Sequence, residues 1–132
     1  MKKERSMIFI CDDVRHEEGG KVSLMGIYND DILINKTNLP FHFLKLCLVL
    51  VTENINKKVK NLTVKVNLPD PKASITGTIE ILRGKSKANY IMVLPSFIVK
   101  GETKLEIEVV FNGTDEVIKK EVPIRINDKE SQ

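Results

Sequence analysis

The feature that most constrains the fold of this chain is a period-two alternation of apolar and polar residues. Residues 62–68 carry an apolar side chain at every second position, and residues 105–111 repeat the pattern. Successive side chains of a β-strand point to opposite faces, so this alternation predicts strands with one buried and one solvated face. The dipeptide Asn112-Gly113, which is typical of a tight β-hairpin, follows the second run directly. No segment of ten residues has helical periodicity, and the sequence predicts an all-β protein.

Nine segments have strand character, and turn residues separate them. They are residues 7–14, 22–28, 32–34, 41–51, 62–68, 75–81, 90–94, 105–111 and 117–126. Eight or nine short strands at regular spacing are typical of a β-sandwich or a closed barrel. We expect a single-domain antiparallel β-sandwich, immunoglobulin-like or related, because the last hairpin resembles the strands that close such sandwiches. The domain would span residues 1–132, with residues 1–6 and 127–132 as frayed tails.

Two of these segments also indicate a position within a sheet. Residues 41–51 are apolar on both faces apart from His42 and Lys45, which predicts one long interior strand. Residues 117–126 contain Pro123, which cannot donate to a ladder of hydrogen bonds. This last strand is therefore predicted to lie at the edge of a sheet.

An opening hairpin is predicted for residues 7–28, and the rest of the chain is expected to assemble on it. Its two apolar arms flank a polar connection, residues 15–20, which ends in two glycines. With Val14 opposite Lys21, both faces of the hairpin carry apolar side chains. We expect it to be covered on both sides for most of its length, with only its acidic end in water.

Composition limits the partners of the protein. The chain has 21 basic and 18 acidic residues, and only four of the basic residues are arginine. Nucleic-acid readers rely on the bidentate arginine fork and on aromatic stacking, and the chain has few aromatic residues and no tryptophan. A weak nucleic-acid binder would use two basic loops, formed by Lys57, Lys58, Lys60, Arg83, Lys85 and Lys87. Scattered loop lysines are more typical of a solvated surface, so we do not expect a nucleic-acid partner.

The sequence predicts a cytoplasmic protein without a membrane association. The apolar run that follows the charged amino terminus, residues 7–11, is too short for a secretion signal. No apolar run reaches the roughly 20 residues that span a bilayer. Cys11 and Cys47 both fall in predicted strands, and without an export signal they are expected to be buried free thiols.

No convincing catalytic constellation is present, so we do not expect an enzyme and predict no cofactor. The only histidines are His16 and His42, and Cys47, the cysteine nearest to His42, has the opposite strand parity. The tripeptide that begins at Gly84 matches the last three residues of the phosphate-binding P-loop motif. Ile79, however, occupies the position at which that motif needs its first glycine.

The acidic end of the opening hairpin offers an alternative function. Asp13, Glu17 and Glu18 provide oxygen ligands of the kind that calcium prefers. The chain lacks the spacing of an EF-hand loop, and a solvated turn accounts for the same residues. A divalent-metal-binding sandwich that uses the loop from Asp13 to Glu18 therefore stays an alternative.

By elimination, the sequence favours a non-catalytic protein-interaction module of otherwise unknown function. A rigid sandwich can present its loops or an edge strand to another protein. The predicted binding surface is the tip of the opening hairpin, formed by Arg15, His16, Glu17 and Glu18. The partner would be an unknown protein or further copies of the same chain.

The opening stretch also resembles a family of short bacterial proteins catalogued only as a domain of unknown function. The residues that carry the resemblance are Cys11-Asp12, Arg15, Glu17 to Lys21, Ser23-Leu24, Gly26 to Tyr28 and Leu39-Pro40-Phe41. The resemblance covers about the first third of the chain. It implies an all-β single domain built on the hairpin, and it brings no activity, ligand or partner.

Overall fold

A computed structural model of the chain describes residues 5–82 and 84–128, and in these residues all extended structure belongs to β-sheets. The strands are β1 (Arg5–His16), β2 (Val22–Tyr28), β3 (Ile32–Asn35), β4 (Phe41–Phe43), β5 (Leu46–Glu53), β6 (Asn61–Pro69), β7 (Lys72–Glu80), β8 (Ala88–Leu94), β9 (Phe97–Val99), β10 (Thr103–Asn112) and β11 (Val117–Asn127). Short 3-10 turns follow β1 and β3. The prediction of an all-β protein is confirmed.

One sheet has four antiparallel strands in the order β2-β1-β5-β8. The opening hairpin forms one side of this sheet, and β5 lies inside it. Every residue of β5 from Leu46 to Leu50 is buried, as the two-faced apolar pattern predicted for an interior strand.

The second sheet has five strands in the order β3-β11-β10-β6-β7. All of its pairs are antiparallel except β3 with β11, which is parallel. The predicted Asn112-Gly113 turn joins β10 to β11, with Gly113 at φ 105°, where a glycine is favoured. A small third sheet pairs β4 with β9.

One cluster of buried side chains lies between the two larger sheets. The five-stranded sheet contributes the alternating residues that the sequence assigned to buried faces, and the four-stranded sheet contributes the inward residues of β1, β5 and β8. Its fully buried members include Leu48, Leu50, Leu62, Val64, Val66, Leu94, Leu105, Val109 and Phe111. The period-two pattern therefore predicted correctly which side chains form the core.

The segment predicted as one long strand, residues 41–51, is divided in two. After Phe43 the chain leaves the direction of β4, which pairs with β9, and β5 starts only at Leu46. Leu44 between them is 81% exposed, because it stands at the break. This division and the additional strand β9 give eleven strands in the described residues, where eight or nine were expected.

The register predicted for the opening hairpin is wrong. Val14 lies opposite Leu24, not Lys21, and the strands pair as far as His16 with Val22. The turn is tighter than expected because the Glu17 N–H donates to the Lys21 carbonyl oxygen at 2.8 Å.

Strand structure extends into both segments that were predicted as tails. Arg5 and Ser6 belong to β1, and Asn127 ends β11. Residues 1–4 and 129–132 lie outside the described part of the chain. The last strand is also not an edge strand throughout, since β3 pairs with it from Ile124 to Asn127, directly after Pro123.

None of the described residues forms a helix that is long and apolar enough to cross a membrane.

Candidate interaction surface

The predicted binding residues form the exposed tip of the opening hairpin. Arg15 and His16 end β1, and Glu17 and Glu18 lead into the 3-10 turn. All four side chains are exposed, and Ser23 Oγ donates to Glu17 Oε1 at 3.3 Å. The tip is thus a solvated polar loop, and whether it binds a partner stays a prediction.

Asp13, the third residue of the metal alternative, is engaged elsewhere. Its Oδ1 accepts a hydrogen bond from Lys45 Nζ at 2.7 Å and another from the Val14 N–H at 2.9 Å. The ammonium, and then the amide, hold the pKa of the Asp13 carboxyl below its ordinary value. Across residues 5–82 and 84–128, no three His, Cys, Asp or Glu side chains are grouped as metal ligands.

Asp12 supports the base of the hairpin. Its Oδ1 accepts a hydrogen bond from the Tyr28 hydroxyl at 2.8 Å. Burial and this hydrogen bond raise the pKa of Tyr28 to about 12. Gly26 has a φ of 67°, and a Cβ there would stand 2.3 Å from Asp12 Oδ2, so only glycine leaves room for this carboxylate.

The four-stranded sheet turns an apolar face away from the core, and we call it the outer face. Residues paired across antiparallel strands share a face, and every second residue of a strand returns to it. The outer face is formed by Met7, Phe9, Cys11, Ile27, Cys47, Val49, Val51, Ile91 and Val93. None of these nine side chains is charged.

The centre of the outer face forms a second hydrophobic cluster, separate from the core. Cys11, Cys47 and Val49 are buried in it, and partly buried neighbours such as Val14 and Leu24 pack around them. Toward the margins the side chains reach solvent: Met7 is 55% exposed, Ile27 46% and Val93 59%. The described members of this cluster belong to β1, β2, β5 and β8. The centre of this side of the hairpin is buried, as predicted, but its margins reach solvent where the sequence predicted cover.

Within the described strands, the charged residues of the outer face stand at its two ends. Arg5 lies opposite Glu53 at one end. The ion pair of Asp13 with Lys45 closes the other end. Each of these two pairs joins one cation to one anion, so the pairs add no net charge to the outer face.

The two cysteines lie directly opposite each other on β1 and β5. Both are buried free thiols, as predicted, and burial raises the pKa of each thiol. A thiol with a raised pKa is a poor nucleophile, so the two cysteines contribute packing to the centre of the outer face.

The two lysine-rich loops meet at one end of the molecule. The Ile55 N–H donates to the Ser86 carbonyl oxygen at 3.0 Å, and Lys57 and Lys85 line a common groove of about 470 Å³. Arg83, which also belongs to the second loop, lies outside the described residues. Among the described residues that line this groove, none is an aromatic side chain for base stacking.

The outer face was not predicted from the sequence. β1 and β5 are apolar in both registers, and this sequence feature of the outer face predicted strands that are covered on both sides. The alternation of a strand does not indicate which elements cover each face, because those elements come from distant parts of the chain.

The chain matches a protein-family model. A model described as a family of unknown function (DUF6941) matches residues 6–127. This confirms the resemblance seen in the opening stretch and extends it over nearly the whole chain. Comparisons with curated proteins and with solved structures give no match.

Proposed function

The chain belongs to a family of unknown function (DUF6941), and for this member we propose a non-catalytic protein-interaction module that associates with a second copy of itself through the outer face. The observation that carries this proposal is the exposure of Met7, Ile27 and Val93 around an apolar, uncharged centre. Covering this surface removes apolar area from water, which is the main driving force of protein association.

The size of the outer face agrees with a binding surface. Four strands about 4.8 Å apart and about five residues long give roughly 300–400 Å² of flat area. Cys11, Cys47 and Val49 in the centre are already buried, so the apolar area in contact with water is smaller than this. The largest exposed apolar patch of a monomeric protein is often functional.

The charge pattern favours a second copy as the partner. A homodimer places the same surface on both sides of a two-fold axis, so the surface must be complementary to itself. The outer face agrees with this condition, because it is uncharged in its centre and each of its two flanking pairs, Arg5 with Glu53 and Lys45 with Asp13, joins a cation to an anion. Two such faces would stack as sheets do, about 10 Å apart. Since the area is below the roughly 800 Å² per partner of a standard interface, we expect a dissociation constant on the order of micromolar or weaker.

The hairpin tip would form a polar rim of this interface. Val14 and Leu24 connect the apolar cluster to the tip, where Arg15, His16, Glu17 and Glu18 are exposed. Polar rims contribute specificity more than affinity. Alanine at these four positions is therefore expected to weaken association less than a charge in the centre does.

We also propose that the fold is an immunoglobulin-like sandwich. Support comes from the strand order, in which β6, β10 and β11 take the positions of strands C, F and G, with β7 added beside C. In the opposite sheet β1, β5 and β8 take the positions of strands A, B and E. An experimental structure with another order of these strands would contradict this assignment.

Sedimentation analysis with matched lysine variants tests the proposed function. Val93 lies on the outer face and is 59% exposed, whereas Leu33 lies on β3 of the other sheet and is 60% exposed. We expect the wild-type chain and Leu33→Lys to form dimers with rising concentration, and Val93→Lys to stay monomeric. A wild-type chain that stays monomeric at millimolar concentration, or a Val93→Lys chain that still dimerises, would overturn the proposal.

A further inference from the structure

We propose that a groove at the open edge of β1 binds an extended, acidic peptide segment of a partner protein by strand addition. β1 pairs with β5 from Arg5 to Cys11, but with β2 only from Ile10 to His16. After Tyr28 the chain leaves this sheet, and β3 joins β11 in the other sheet. Among the residues that the structure describes, the amino-terminal half of β1 therefore has a neighbouring strand, β5, on one side only.

The groove runs along this half of β1 and reaches across to β11. Its lining consists of residues 6–9 of β1, residues 27–29 at the end of β2 and residues 118–120 of β11. Its volume is about 490 Å³. Ligand sites in proteins usually occupy roughly 300–1,000 Å³, so the groove has room for several residues of an extended chain.

Lys120 points into this groove from the inward face of β11. It lies opposite Ile107, and Ile118 lies opposite Val109, and both partners are buried in the core. Lys120 Nζ donates to the Ile8 carbonyl oxygen at 3.2 Å. An ammonium has three donors, and this bond uses one of them. A charged group turned toward the interior is unusual in a strand unless it protects an edge or binds something.

The bond to Lys120 also shows the direction of the β1 backbone. In an antiparallel strand the N–H and C=O of one residue point to the same side. Because the Ile8 carbonyl faces the groove, the Ile8 N–H faces it as well. A peptide strand laid along β1 would donate an N–H to this carbonyl, and the Lys120 ammonium would then be released for a carboxylate of the peptide.

Charge identifies the class of peptide. Two of the residues that line the groove, Lys119 and Lys120, are charged, and both are cations. The rest of the lining is apolar or neutral, including Ile8 and Ile118. A segment with alternating carboxylate and aliphatic side chains would match both features, since one set faces the lysines and the other faces the apolar wall.

Fluorescence anisotropy with three labelled, end-capped octapeptides tests this inference. The first peptide alternates glutamate with valine and threonine, and the second has lysine in place of glutamate. The third keeps the glutamates but has N-methylated amides along one edge, which prevents strand pairing. The protein carries Val93→Lys, so that loss of self-association and loss of peptide binding are measured separately.

Only the glutamate peptide with free amides is expected to bind. Lys120→Met should weaken its binding roughly tenfold or more, because a charge-assisted hydrogen bond is lost. Lys120→Arg should retain most of the affinity, and Lys119→Met should cost at most about threefold, as expected of an exposed charge. Thermal melts check that each variant is folded.

Several results would overturn the inference. They are a glutamate peptide that does not bind at millimolar concentration, equal binding of the lysine peptide or of the N-methylated peptide, and an unchanged affinity of Lys120→Met. If Lys120→Met does not fold, the three peptides and Lys120→Arg still decide the question.

Discussion

Replacing Gly77 by alanine should weaken the contact between the two large sheets. Gly77 lies in β7, and Tyr90 lies in β8 of the opposite sheet. A Cβ at position 77 would stand 1.9 Å from the Tyr90 hydroxyl oxygen and 2.9 Å from its Cζ. Cβ atoms do not approach other heavy atoms this closely, so the Tyr90 ring or one of the strands must move.

Two opposing effects set the size of the loss. Gly77 is not in the left-handed region, so alanine adds no backbone strain and gains about 0.4–1 kcal/mol by restricting the unfolded chain. Overpacking of a well-filled contact costs about 1–3 kcal/mol. We therefore expect Gly77→Ala to lower the free energy of unfolding by about 1–2 kcal/mol.

Urea denaturation measures this loss, with Gly101→Ala as the control. Nothing lies within 4 Å of a Cβ at position 101, and its backbone is also outside the left-handed region. Gly101→Ala should be neutral or slightly stabilising. In a Tyr90→Phe background, which removes the nearer atom, the cost of Gly77→Ala should fall by about 1 kcal/mol. A Gly77→Ala variant as stable as Gly101→Ala would refute the reasoning and the proximity of β7 to β8.

Two further predictions concern the base of the hairpin. Of the two tyrosines, Tyr28 should ionise near pH 12, which tyrosinate absorbance measures with Tyr28→Phe as the reference. Asp12→Asn should lower the pKa of Tyr28 but not to its ordinary value of 10.0, because the phenol stays buried. The pKa of Tyr28 is higher in the folded than in the unfolded chain, so the stability that this phenol contributes is complete below pH 10 and is lost as the pH rises toward 12. An ordinary pKa of Tyr28 in the folded protein would contradict both statements. Lys45→Met should raise the pKa of Asp13 toward its ordinary value, which NMR of the carboxyl carbon measures. The melting temperature should change little, because the ion pair is exposed. An unchanged pKa of Asp13 would exclude this ion pair in solution.

Local sequence signals predicted the strands and their buried faces well. The alternation in β6 and β10 marks the core, and Asn112-Gly113 marks the last turn, because both depend only on residues close in sequence. The division of residues 41–51 was missed because β4 pairs with β9, which lies more than 50 residues further along the chain. An apolar strand gives no local sign that it changes partner.

The candidate surfaces were harder to predict for the same reason. The outer face depends on four strands that are distant in sequence, and the groove depends on where β2 ends relative to β1. Lys120 belongs to the segment that was predicted to be an edge strand, and no sequence signal indicated that it turns inward toward Ile8. The hairpin tip could be predicted because its polar and glycine residues are contiguous.

The most direct test of self-association through the outer face is the solvent accessibility of the Met7 methyl group. Isotope-labelled methionine methyls can be followed by NMR with a soluble paramagnetic agent, and Met92, which is 5% exposed, serves as the buried reference. Met7 is 55% exposed, so the paramagnetic agent should strongly increase the relaxation rate of its methyl signal in dilute protein. With rising concentration it should become protected in the wild-type chain and in Leu33→Lys, but not in Val93→Lys. A Met7 methyl that stays equally accessible at concentrations where the chain is dimeric would contradict the account.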